Sequence, residues 1–167
     1  MNARYFYLIA VLLLGGAWHR FLGPGRFYAS DEPALSYDPN RDSDHDLTNA
    51  KSWAKQGHKR ILLVVGGNWC VWCARLDAFF AANPDITSFR DSHFVMVKIY
   101  SGMKGKRPGA LARLPKVSAY PHFFILDEDA AVLQSKDTDE FESGPSYDHD
   151  RLLAFLKTWA PEEAAPR

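Results

Sequence analysis

Ile61-Leu62-Leu63-Val64-Val65 is an unbroken aliphatic run, followed at once by Gly66-Gly67-Asn68 and then by Trp69-Cys70-Val71-Trp72-Cys73. A strand with no polar alternation must be covered on both faces. It therefore calls for a central sheet strand with helices packed above and below. Beyond the glycines, Cys73, Leu76 and Phe80 recur at helical spacing, so a helix starts at the motif. Cys70 thus falls where a buried strand hands over to a helix, beside free backbone N–H groups and the positive end of the helix dipole.

The rest of the pattern fills in an α/β domain, a central mixed β-sheet flanked by helices on both faces. Leu47, Ala50, Trp53 and Ala54 predict a first helix over 47–56, with Gly57 as its stop. Asn83-Pro84 ends the second helix and caps a short third one through about Asp91. Strands are expected at Phe94–Tyr100 and Pro121–Leu126, with Ala131–Gln134 as a hairpin partner. Leu152, Leu153, Phe155, Leu156 and Trp159 give the apolar face of a last helix. The main order is helix, strand, helix, three strands, helix, and right-handed crossovers close it into a mixed sheet.

The N-terminal segment marks the compartment. Residues 5–17 read YFYLIAVLLLGGA, shorter than the roughly 20 residues that span a bilayer comfortably. They fit the apolar region of an export signal, either cleaved near Gly15-Gly16-Ala17 or kept as a short membrane tether. Either outcome exports the domain, with the periplasm as the expected location. Residues 1–26 are then the signal or anchor, 27–46 an aperiodic linker, 47–160 the domain and 161–167 a disordered tail. In a chain of 167 residues this leaves one core. His45 among Asp42, Asp44 and Asp46 reads as a solvated loop, with Asp46 as the helix N-cap, rather than a metal site.

Lys plus Arg and Asp plus Glu are both 20, so no summed field draws the chain to nucleic acid or an anionic membrane. The two cysteines lie three apart, which rules out a long-range disulfide framework within a monomer, the expected state. A Cys-x-x-Cys is also half of a zinc site, but no second Cys-x-x-Cys or His-x-His completes four ligands. The strand-to-helix position favours a thiolate, the form that attacks disulfides. Cys70 is the candidate nucleophile. Cys73, one helical turn on, is the candidate resolving thiol for the mixed disulfide. No cofactor is called for.

From about residue 47 to 160 the chain resembles the thioredoxin superfamily, and GGNWCVWCARLDAFF is most similar to exported disulfide-reductase-type domains with a Trp-Cys-Val-x-Cys motif. The resemblance implies a thioredoxin-like fold and thiol–disulfide exchange with protein disulfide or dithiol substrates and a separate redox partner. Tyr120-Pro121 stands before a strand, where the family places a cis-proline opposite the cysteines. By resemblance Pro121 frames the substrate groove and the backbone of Tyr120 pairs with an extended substrate. Trp69, part of the family motif, and Trp72 border the same site; they form an apolar docking surface there, or Trp72 simply packs on the domain. The sequence departs from thioredoxin at Val64, where the family's buried aspartate would stand. Lys98 matches that aspartate's usual lysine neighbour and is either a snorkelling strand lysine or a buried one, and Asp77, four residues after Cys73, is a substitute proton acceptor or a solvated side chain. His122 either tunes the thiolate or is structural, Arg75 is a surface charge, and Lys104, Lys106 and Arg107 form a basic loop. The competing reading is a redox-inactive binding or metal-delivery module, with His122 as its obvious extra ligand.

Overall fold

The structure, a computed structural model, describes residues 34–102 and 109–162. The expected export segment, the first part of the linker, the basic loop of Lys104, Lys106 and Arg107, and residues 163–167 of the tail lie outside the described residues.

The first two strands, β1 (Arg60–Gly66) and β2 (Phe94–Tyr100), pair in parallel, as a crossover between them requires. β3 (His122–Leu126) runs antiparallel to β1, and β4 (Val132–Asp137) antiparallel to β3, so the sheet order is β2-β1-β3-β4. β1 lies inside this mixed sheet, and its residues from Ile61 to Val65 are buried on both faces. On one face Ile61, Leu63 and Val65 pack with Leu47, Ala50 and Ala54 of α1 (Ser43–Gly57). On the other, Leu62 and Val64 join Leu76, Phe79 and Phe80 of α2 (Val71–Ala82), Ile86 of α3 (Pro84–His93), and Leu152 and Leu156 of α4 (His149–Thr158). A short hairpin of β5 (Glu142–Ser143) and β6 (Ser146–Tyr147), which no sequence period announces, sets Tyr147 into that second face.

Several boundaries differ from expectation for local reasons. α1 starts four residues early because the Asp42 side chain, not Asp46, accepts from the N–H groups of Asp44 and His45. Asp46 is buried and paired with Arg41, and Asp44 pairs with Arg113, so each carboxylate of the acidic cluster has another task. The helix runs through Gly57, and His58 takes the left-handed C-cap at φ 51°. The expected linker enters the fold from Ala34, whose carbonyl accepts from the Lys98 N–H and whose side chain is buried, as is that of Tyr37. α2 begins at Val71 with Cys70 as its N-cap, so the helix does start at the motif. β4 extends three residues beyond Gln134, and β3 begins one residue after Pro121.

Candidate active site

Cys70 and Cys73 form a disulfide with their Cα atoms 5.2 Å apart. Cys70 is half in the helix: its Sγ accepts the Cys73 N–H at 3.1 Å, in the place where serine or aspartate usually caps. A thiolate there would strengthen that bond and gain from the helix dipole. Cys70 is 7% exposed and Cys73 1%, so the first sulfur is the more open of the two.

Beneath the disulfide the packing is tight. A Cβ built on Gly66 would sit 2.5 Å from Cys73 Sγ and 2.9 Å from the Tyr37 hydroxyl, so only glycine lets all three groups share the space. A Cβ on Gly67 would strike the Trp69 indole. Val64 is fully buried and stands beside Lys98 in the β1–β2 register. Lys98 Nζ reaches Asp77 Oδ1 at 2.5 Å, with the lysine 7% exposed and the aspartate 45%.

The rim is aromatic. Trp69, 36% exposed, donates from Nε1 to the Ser101 carbonyl at 3.0 Å and meets Tyr120 edge-on at 5.2 Å. Ser101 Oγ and the Tyr120 hydroxyl are hydrogen-bonded at 3.0 Å, and the Ser101 N–H donates to the Gly66 carbonyl. The Tyr120–Pro121 peptide is cis, and Thr138 Oγ1 donates to the Pro121 carbonyl at 2.8 Å. Trp72 packs edge-on against Tyr147, whose hydroxyl donates to the Trp72 carbonyl at 3.2 Å. Burial pushes that phenol up to about 12, which keeps it a donor. Arg75 stacks 4.3 Å over the Trp72 ring rather than standing free in solvent.

A family model described as thioredoxin-like matches residues 42–128. The chain belongs to the thioredoxin-like family. The disulfide bond reductase DsbH of Chlamydia pneumoniae is 26% identical over 88 residues, 48% of this chain and 53% of the relative. The chain thus spans about half the length of that relative. The solved structure of a disulphide isomerase from Xylella fastidiosa Temecula1 is 25% identical, with a TM-score of 0.59, and the match covers 75% of this chain and 98% of that one. These relationships support thiol–disulfide oxidoreductase activity for this thioredoxin-like domain.

Within the thioredoxin-like site the other sequence candidates separate. Trp69 and Tyr120 are in contact with each other, whereas Trp72 belongs to the separate Tyr147 cluster. Asp77 and Lys98, considered singly in the sequence, form one ion pair. His122 is directed to β4: its Nδ1 lies 2.7 Å from Asp137 Oδ1 and its Nε2 2.8 Å from Ser135 Oγ. Burial holds the imidazole below its ordinary value, against the attraction of Asp137. The neutral ring thus donates to Asp137 and accepts from Ser135, and neither nitrogen is left for a sulfur or a metal. Among the described residues no group of three or more His, Cys, Asp or Glu could hold a metal ion. Ser101 and Tyr147 have no sequence signal; Tyr37 stands in an aperiodic stretch that gives none either.

Proposed function

We propose that the chain is an exported thiol–disulfide oxidoreductase that reduces or isomerises disulfides in protein substrates. The observation that carries this is the Cys70–Cys73 disulfide at the start of α2, with Cys70 Sγ as the helix cap. In the reductive direction the Cys70 thiolate attacks a substrate disulfide, and the first substrate sulfur leaves as a thiolate. Cys73 then attacks Cys70 Sγ, the bond to the second substrate sulfur breaks, and the enzyme is left oxidised. A separate redox partner returns two electrons. The reductase and isomerase names of the two relatives support this direction.

Trp69, Trp72, Tyr120 and Pro121 form the docking surface, with the Tyr120 backbone offered to an extended substrate strand. Asp77, held by Lys98 and four residues after Cys73 on α2, is the carboxylate that takes up the Cys73 proton. The apolar segment at residues 5–17 supports export, and the domain acts in the periplasm as a monomer, soluble or tethered through that segment. Among the described residues no helix is long and apolar enough to cross a membrane.

Insulin reduction by dithiothreitol tests the activity. Wild-type protein accelerates the precipitation of insulin chains, and Cys70→Ser leaves it at the uncatalysed rate. Equal rates for wild type and Cys70→Ser would remove the proposal.

A further inference from the structure

Tyr37 is 5% exposed, yet its hydroxyl is, among the described residues, a buried side-chain oxygen with no hydrogen-bond partner. Leaving a buried hydroxyl unpaired costs free energy, so such a group calls for an explanation. Its position supplies one. The hydroxyl and Cys73 Sγ crowd the same point above Gly66, at 2.9 Å and 2.5 Å from where a Cβ would stand. The tyrosine cannot easily swing away: Asn68 Nδ2 donates to its carbonyl at 2.9 Å, and Lys98 Nζ lies 5.1 Å from its ring centroid.

We infer that Tyr37 donates a hydrogen bond to the Cys73 thiolate of the reduced protein, serving that sulfur from the side where Val64 leaves no polar group. The inference rests on the oxidoreductase function proposed above. A disulfide sulfur is a poor acceptor, and a thiolate is a strong one, so the bond is made only when the pair is reduced or reacting. Burial, reinforced by the charge of Asp77 and by Tyr147, keeps the Tyr37 phenol protonated far above its ordinary range. The titratable groups facing this pocket are Tyr37, Asp77 on α2, Lys98 on β2 and Tyr147 on β6.

In the resolving step the Cys73 proton passes by way of Asp77 to solvent water, and Tyr37 keeps its own. The Cys73 thiolate then attacks Cys70 Sγ in the mixed disulfide. The Cys70–Cys73 bond forms as the Cys70–substrate bond breaks, its electron pair leaves on the substrate sulfur, and that thiolate is protonated by water. Over the cycle the substrate disulfide gains two electrons and the cysteine pair loses two.

Tyr37→Phe removes one oxygen and keeps the ring, so the fold of the oxidised protein is preserved and its melting temperature serves as the control. Reduced full-length protein is mixed with 5,5′-dithiobis(2-nitrobenzoate), and release of the second thionitrobenzoate, which reports Cys73 attacking the Cys70 adduct, is followed across pH 5–9. In Tyr37→Phe the midpoint of this phase moves up by about one pH unit, and its rate at pH 7 falls roughly tenfold. Equilibrium with glutathione shifts roughly tenfold toward oxidised protein, about 30 mV for a two-electron couple. A midpoint and an equilibrium constant equal to those of wild type would overturn the role of Tyr37. A wild-type protein that never releases the second equivalent would overturn the oxidoreductase function itself, and this inference with it.

Discussion

At Gly66 a methyl group has nowhere to go, because Cys73 Sγ and the Tyr37 hydroxyl already fill its place. Gly66→Ala should therefore destabilise the oxidised protein by about 1–3 kcal/mol, the usual cost of overpacking a close-packed core, as read by urea denaturation. Asp77→Asn should act differently. It leaves buried Lys98 without its carboxylate, and since Asp77 is 45% exposed the loss should be about 1–2 kcal/mol rather than that of a fully buried pair. If Asp77 also accepts the Cys73 proton, the same variant slows resolution and flattens its pH profile; a profile equal to wild type would leave Asp77 structural. Much of this site was legible residue by residue, since Gly-Gly-Asn-Trp-Cys between an apolar run and a helical period has few structural solutions. Tyr37 was not, because what buries it is a contact with residues about thirty positions away. Likewise Asp77 and Lys98 are 21 residues apart and meet only once α2 lies across β2.

At the scale of elements, capping chemistry decides where helices begin. The Asp42 side chain receives the Asp44 and His45 N–H groups, so Asp42→Ala should cost about 1 kcal/mol in thermal or urea unfolding. A loss too small to measure would mean that the first turn of α1 is held by the half-buried Arg41–Asp46 pair instead. Spacing favours Asp46, which directly precedes the apolar period at Leu47, although Asp42 also has the side chain a cap needs. Burial settles it: Asp46 faces inward, and only Asp42 remains at the helix mouth. Strands were easier to place than helix ends, since β1, β2 and β3 are mostly apolar and buried on both faces, with Lys98 and His122 as buried polar exceptions. β5 and β6 are two residues each, too short for any period to show.

For the whole molecule, the buried His122 couples folding to pH. The folded imidazole titrates below its unfolded value of about 6.5, so the unfolded chain takes the proton first as pH falls. Stability is full above that value and is lost on acidification. Asp137 acts in the same sense at lower pH: burial raises its carboxyl, but the hydrogen bonds from Ser118 and His122 outweigh this and hold it below the ordinary range. His149 is shifted the other way by Asp150 and Asp85, but it is exposed and screened. The melting temperature should thus fall between pH 7 and pH 5, with a shallower slope in His122→Gln; an equal slope would assign the acid sensitivity elsewhere. The central claim concerns the division of labour between the two sulfurs. Its most direct measurement is mass spectrometry of mixed disulfides after single-cysteine variants meet a disulfide-containing protein substrate. Cys73→Ser should accumulate substrate on Cys70, and Cys70→Ser should leave Cys73 unmodified. Equal adducts on both cysteines, or none on Cys70, would contradict the account.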